Sequence, residues 1–303
     1  MLGTLVLTAG AAYAGYRLFP EPLFNLAMAS QRMRAGLSLK ETFVDGHRIS
    51  YLEGGRGEPL LLLHGFGANK DHWPLVARYL TPQYRVIALD IPGFGDSSRV
   101  PEASYSLDLQ LNRLEEFAQT LGLGRFHLGG NSMGAYLAAL YAARKPDQVD
   151  SLWLLAPPGV AAAATSELSR YIARGDNLLL IDSETKGKRL QSMIFCKAPF
   201  VPKGFLNVWL TRALGDNMFN SKLFGELFAE PIMLDQRCAG LATRALIVWG
   251  DDDRLLDVSG AAELHKLLPN SDVRIMRGMG HCPMLERPRN TAQDFLNFHG
   301  RAL

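Results

Sequence analysis

A serine stands between two glycines at Gly130-Asn131-Ser132-Met133-Gly134, directly after the apolar run Phe126-His127-Leu128-Gly129. This reads as a strand that turns sharply into a helix with Ser132 at the apex. A nucleophile on so tight a turn leaves no room for side chains on its flanks, which is why glycines stand there. A serine hydroxyl is a poor nucleophile at neutral pH unless a base lies within hydrogen-bond reach and an acid orients that base. Both residue types follow. Asp251-Asp252-Asp253 comes after the run Ala245-Leu246-Ile247-Val248-Trp249, and Gly280-His281 after Val273-Arg274-Ile275-Met276. Serine, acid and histidine thus occur in that order, each at the carboxyl end of an expected strand. The chemistry this order allows is hydrolysis through an activated serine.

His281 is the candidate base, because it lies in a loop at a strand's end. His127 falls within the strand before the serine and reads as structural. His265 lies on the expected helix over residues 259–268 and reads as solvated, and His64 as a shaper of its own turn. For the acid, Asp251, Asp252, Asp253 and Asp257 compete, and side-chain chemistry alone does not separate them. A tetrahedral intermediate also needs donors for its oxyanion. Candidates are the backbone N–H of Met133, after the nucleophile, and that of Phe66 in the turn His64-Gly65-Phe66-Gly67 after the run Leu60-Leu61-Leu62-Leu63. The segment Asp90-Ile91-Pro92-Gly93-Phe94-Gly95 reads as a structural loop at the rim.

These loops need strands and helices to hold them. Glu41-Thr42-Phe43-Val44 and Arg48-Ile49-Ser50-Tyr51-Leu52 alternate around Asp45-Gly46, a hairpin signal. The run Leu60-Leu61-Leu62-Leu63 and the run Val86-Ile87-Ala88-Leu89 suit a parallel sheet buried on both faces. Leu107, Leu111, Leu114, Phe117, Ala118 and Leu121 recur at helical spacing, and residues 133–144 predict an alanine-rich helix behind the serine. After the strand Ser151-Leu152-Trp153-Leu154-Leu155 the alternation stops until Ala245. Residues 160–240 carry only helical groups: Met193, Ile194 and Phe195, then Phe205, Val208 and Trp209, then Leu223, Phe224, Leu227 and Phe228. An insertion here is expected to cap the site, with Phe66, Met133, Phe195, Trp209 and Phe224 lining the substrate pocket.

With 303 residues, 48% of them hydrophobic and 20% charged, the composition is that of a globular protein. A net charge of +2 without a basic cluster argues against a nucleic-acid partner. Cys196, Cys238 and Cys282 form no C-x-x-C pair, and the histidines show no ligand spacing, so neither a disulfide framework nor a metal or other cofactor is expected. Residues 1–16 contain no charged side chain. As a helix they reach about 24 Å, and Leu18 and Phe19 extend them toward the roughly 30 Å of a hydrocarbon layer while Arg17 snorkels. Pro20-Glu21-Pro22 then breaks the helix, and residues 23–37 read as an amphipathic helix on a membrane surface. The alternatives are a cleaved signal peptide, since Ala12-Tyr13-Ala14 resembles a cleavage site, and a soluble amphipathic arm. No Lys or Arg precedes the apolar run, which favours the uncleaved anchor.

His64-Gly65-Phe66-Gly67-Ala68-Asn69-Lys70-Asp71, residues 129–134, residues 249–260, Gly280-His281 and residues 284–289 resemble the α/β-hydrolase superfamily. Within it they are similar to the membrane-associated monoacylglycerol lipases and to bacterial lipase, esterase and phospholipase A relatives. The resemblance runs from about Lys40 to the C-terminus. It implies an α/β-hydrolase fold with a mostly parallel eight-stranded sheet flanked by helices, a helical cap and an N-terminal membrane helix. Residues 1–37 would be the anchor and juxtamembrane helix, 38–159 and 241–303 the core, and 160–240 the cap. It also implies Asp253 as the acid, three residues after the glycine of Trp249-Gly250. Ala135 departs from the pattern, since many relatives carry a further glycine there. The implied substrate is a lipid ester at a membrane. The implied location is the inner membrane with a periplasmic catalytic domain, although a positive-inside count of Arg17, Arg32 and Arg34 would keep the domain cytoplasmic. A homodimer through the N-terminal helix is a further expectation. Gly130-Asn131-Ser132-Met133-Gly134 is similar also to carbon–carbon bond hydrolases of aromatic degradation, for which Arg170, Arg174, Lys186, Lys188 and Arg189 would supply cationic cap residues. A non-catalytic binder is the third reading. Dehalogenase and epoxide hydrolase chemistry is excluded, because both need an aspartate where Ser132 stands.

Overall fold

In the computed structural model, residues 20–303 are described, beginning with α1 (Pro20–Arg34). Residues 1–19, for which a spanning helix is expected, lie outside the described residues. Among the described residues no helix is long and apolar enough to cross a membrane. The described part of α1 begins at Pro20, a position where a proline is tolerated because the N–H it lacks has no partner in a helix's first turn. The break expected at Pro20-Glu21-Pro22 relative to the preceding residues lies outside the described residues. The helix ends earlier than expected. Gly36 takes φ 67° and turns the chain, so Leu37 is the first residue of a strand and not the last of a helix.

The strand β1 (Leu37–Val44) turns into β2 (His47–Gly54) through Asp45 and Gly46, both at positive φ (45° and 72°), as a tight two-residue hairpin turn requires. Then follow β3 (Glu58–Leu63), the short α2 (Pro74–Ala77), β4 (Tyr84–Leu89), α3 (Leu107–Thr120), β5 (Phe126–Asn131), α4 (Met133–Arg144) and β6 (Val149–Leu155). Four helices intervene before the next strand: α5 (Glu167–Ala173), α6 (Glu184–Ile194), α7 (Lys203–Leu227) and α8 (Leu234–Cys238). The chain closes with β7 (Arg244–Gly250), α9 (Ser259–Leu267), β8 (Ser271–Met276), α10 (Pro283–Glu286) and α11 (Pro288–Phe298). The two later groups of the expected cap, Phe205 to Leu227, belong to one 25-residue helix, α7, with Phe228 as the residue that ends it. Gly215 lies within it and costs propensity without ending it.

The strands form one eight-stranded sheet in the order β1-β2-β4-β3-β5-β6-β7-β8, parallel except where β2 meets β1 and β4. Leu60, Leu61, Leu62 and Leu63 are fully buried, as strands covered on both faces must be. The exchange of β3 and β4 in this order matters for the site. It sets the end of β3 beside that of β5, Leu63 opposite Gly130, while β7 and β8 finish together, Gly250 opposite Met276. The turns carrying Phe66 and Ser132 are thereby neighbours, and so are those carrying Asp253 and His281.

Candidate active site

Ser132 occupies φ 54° and ψ −121°, a region L-residues rarely adopt, between the last residue of β5 and the first of α4. A side chain on either flanking glycine would not fit. A Cβ at Gly130 would fall 2.3 Å from the Gly134 carbonyl carbon, and one at Gly134 would fall 2.2 Å from the Leu63 oxygen. The Ser132 N–H donates to Leu155 O at 2.9 Å, which ties the apex to the end of β6.

His281 and Asp253 meet directly: His281 Nδ1 donates to Asp253 Oδ2 at 2.7 Å, both side chains buried. The other carboxylate oxygen, Oδ1, accepts from the N–H groups of Leu255 (2.9 Å) and Leu256 (3.0 Å), so the acid is held from both ends. The competing aspartates are engaged elsewhere. Asp251 accepts from Gly278 N–H at 2.7 Å, and Asp257 from Ser259 N–H at 2.9 Å at the start of α9. Asp252 is exposed. The backbone of His281 is fixed as well, its N–H donating to Ile194 O of the insertion at 2.7 Å and its carbonyl accepting from Asn131 Nδ2 at 3.0 Å. Asn131 is a site residue that sequence reasoning passed over. Its signal was only the variable position of the serine motif, yet it joins the Ser132 turn to the His281 loop.

The turn after β3 lies over the serine, for a Cβ at Gly65 would be 3.4 Å from Ser132 Cβ. His64 is inside that turn. Its Nδ1 donates to Gly65 O at 2.8 Å and its Nε2 accepts from Ile91 N–H at 3.0 Å, a pairing that requires the neutral ring. Burial pushes its pKa down to about 3. His127 is buried against Ser151 Oγ at 2.9 Å, and His265 is paired with Ser271 Oγ at 2.7 Å; neither is near Ser132 along its strand or helix. Met133 opens α4, so its N–H is one of those that a helix leaves without an internal partner.

A cavity of about 410 Å³ opens at Ser132, a size ordinary for small-ligand sites. Phe66, Met133 and Phe224 line it together with Phe228, Trp249 and Leu255. The Phe66 ring stands edge-on between Phe94 (5.3 Å) and Phe224 (5.5 Å). The structure does not bring Phe195 and Trp209 to this cavity. Phe195 follows the last residue of α6 and packs beneath the histidine loop, while Trp209 faces α6 from the outer part of α7. Helical spacing identified both as apolar but could not tell which side of the insertion each would face. The cationic cap residues are also elsewhere: Lys186 pairs with Asp182, Lys188 with Glu184, and Arg189 with the Tyr171 hydroxyl.

Comparison with known proteins identifies the family. The α/β-hydrolase fold family matches residues 58–178. Lipase 3 of Moraxella sp. (strain TA144) is 32% identical over 88% of this chain and 86% of its own. Human monoacylglycerol lipase ABHD6 is 31% identical over 98% and 92% respectively. Among solved structures, one described as a membrane phospholipase A and bacterial virulence factor superposes with a TM-score of 0.91 at 41% identity, covering 99% of this chain and 97% of that one. The chain belongs to the α/β-hydrolase family, among its lipase and monoacylglycerol lipase members, and is an ester hydrolase.

Proposed function

We propose that this protein cleaves carboxylic esters of lipids (monoacylglycerol, lysophospholipid or phospholipid) through an acyl-enzyme on Ser132. The observation that carries this reading is the cavity at Ser132, walled by Phe66, Met133, Phe224 and Phe228 with no lysine or arginine along it. A neutral ester with an acyl chain suits such walls. An acidic ring-cleavage product would enter them without a counter-charge, which costs far more than any apolar contact returns. That disfavours the carbon–carbon bond hydrolase.

In this mechanism His281 Nε2 takes the proton of Ser132 as Oγ attacks the ester carbonyl. Asp253 keeps the Nδ1 proton in place and stabilises the imidazolium. The oxyanion receives the N–H groups of Phe66 and Met133. Collapse of the tetrahedral intermediate breaks the bond to the alcohol, which leaves with the proton from His281. Water then repeats the sequence on the acyl-enzyme and releases the fatty acid. Residues 160–240 act as the lid over the acyl pocket. The test is a panel of monoacylglycerols, lysophospholipids, phospholipids and p-nitrophenyl esters, assayed with wild type and Ser132→Ala. Hydrolysis and fluorophosphonate labelling should both vanish in the variant; labelling at wild-type level would remove Ser132 from the mechanism. Binding of lipid without turnover by the wild type would leave the non-catalytic reading.

The uncharged residues 1–16 would anchor the chain to membrane lipid, with a periplasmic catalytic domain and a homodimer joined through the N-terminal helix. The full chain should then sediment with membranes after carbonate and high-salt washing. A chain beginning at Pro20, which keeps α1, should be released. Soluble protein recovered from expression of the full chain with its N-terminus at Gly15 would make the leader a cleaved signal.

A further inference from the structure

Lys70 is a buried cation that the proposed mechanism does not use. It is 0% exposed, and its ammonium donates to Asp90 Oδ2 at 2.7 Å and to Asp96 Oδ2 at 2.6 Å. Its backbone N–H reaches the same Asp90 carboxylate, donating to Oδ1 at 2.6 Å. Asp90 is also 0% exposed and accepts the Asp96 N–H at 2.7 Å. Gly95 closes over it, where a Cβ would stand 2.3 Å from the carboxylate carbon. The segment read from sequence as a loop rim is therefore half of a buried ion pair.

A buried pair of this kind is a poor source of stability, because apolar side chains of the same volume often serve as well or better. Its particular property is geometric: charge-assisted hydrogen bonds set distance and direction between the parts they join. Here the parts are the turn after β3, which carries Phe66, and the loop after β4, which carries Ile91 and Phe94. Two further ties run the same way. Ile91 N–H donates to His64 Nε2, and the Phe94 ring packs edge-on against both His64 (5.5 Å) and Phe66 (5.3 Å). The next residue, Asp71, is held from the other side by Arg32 of α1, whose Nε and Nη2 donate to its two oxygens at 2.6 and 2.5 Å. The short turn Lys70–His72 is thus clamped between α1 and the loop after β4.

We infer that Lys70 and Asp90 are positioning residues for ester hydrolysis: the pair fixes the Phe66 amide over Ser132, where the oxyanion forms. This rests on the reading of the Phe66 N–H as an oxyanion donor. Losing such a donor outright costs about 10²–10³ in kcat, so its displacement should cost roughly tenfold to a hundredfold, with KM little changed.

The test compares wild type, Lys70→Met/Asp90→Asn and Ser132→Ala on p-nitrophenyl octanoate, with octylboronic acid as a tetrahedral mimic and thermal unfolding as the control for folding. The double variant removes both charges, so neither is left buried and unpaired. It should fold, keep KM within about twofold, and lose kcat and boronate affinity by the same factor, the roughly tenfold to hundredfold expected of a displaced donor. A folded double variant with wild-type kcat, or with a loss confined to KM, overturns the inference. Should it fail to fold, Lys70→Gln gives the same reading, because the N–H groups of residues 70 and 96 still serve the Asp90 carboxylate: lowered kcat at unchanged KM supports the inference and unchanged kcat overturns it. Activity surviving in Ser132→Ala would overturn the serine mechanism and this inference with it. An inactive Ser132→Ala beside an unimpaired double variant overturns the inference alone.

Discussion

At Ser132 the backbone is held in a conformation that costs on the order of 1–3 kcal/mol, and the surrounding glycines are what make it reachable. Gly130→Ala would drive a methyl group into the Gly134 backbone at 2.3 Å, an obstacle with no flexible end to move aside. It should cost about 3 kcal/mol, at the upper end for one substitution, read as a lowered urea midpoint. Among the acids, Asp253→Asn should reduce kcat by about 10⁴, since the amide can present its N–H to Nδ1 and favour the wrong tautomer. Asp251→Asn, Asp252→Asn and Asp257→Asn should each stay within about tenfold of wild type, the range of a surface or loop effect. Side-chain chemistry left these four equal in the sequence. What separates them is the path of the chain after β7, which turns the carboxylate of Asp253 toward His281 and the carboxylates of Asp251 and Asp257 onto backbone N–H groups.

At the scale of elements, α7 reaches from α1 to the cavity at Ser132. Phe205 near its start meets Phe24 of α1 edge-on at 5.5 Å, and Arg212 donates to Glu21 and Asn25. Near its end, Phe224 packs on Phe66 and on Phe228 (5.0 Å). Each methylene buried between such rings adds about 0.8 kcal/mol, close to fourfold in binding. kcat/KM on p-nitrophenyl esters should therefore climb with acyl length until the cavity is full. In Phe224→Ala the climb should flatten, with acetate hardly affected. A flat profile in the wild type would favour the carbon–carbon hydrolase. The strands, the hairpin and the helix behind the serine were legible because period-two and 3.6-residue patterns report burial directly. The extent of α7 was not, because its apolar groups interrupt one another where successive faces meet α1, the core and the cavity. The Lys70–Asp90 pair was invisible for a different reason: two charged residues 20 apart in sequence carry no pattern until the sheet order brings β3 and β4 together.

For the whole molecule, folding requires several imidazoles to be neutral. His64 is fully buried with its pKa down at about 3. At the opposite end of the sheet His127 and His299 lie ring against ring at 4.5 Å, where burial lowers both, His299 to about 4. In the unfolded chain each regains an ordinary pKa near 6.5. Above that value neither state is protonated and stability is full. Between about 6.5 and the folded value only the unfolded state takes up the proton, so stability falls as the pH falls. Each such histidine steepens the loss by as much as about 1.4 kcal/mol per pH unit. Urea unfolding at pH 7, 6, 5 and 4 should give a free energy that declines at every step below pH 6.5. His299→Gln should make that decline shallower, because one of the imidazoles with a lowered pKa no longer distinguishes the two states. Stability that stayed level or rose from pH 7 to pH 5 would mean that these rings already carry their protons in the folded protein, and the neutral His64 bridge between Gly65 and Ile91 would have to be redrawn.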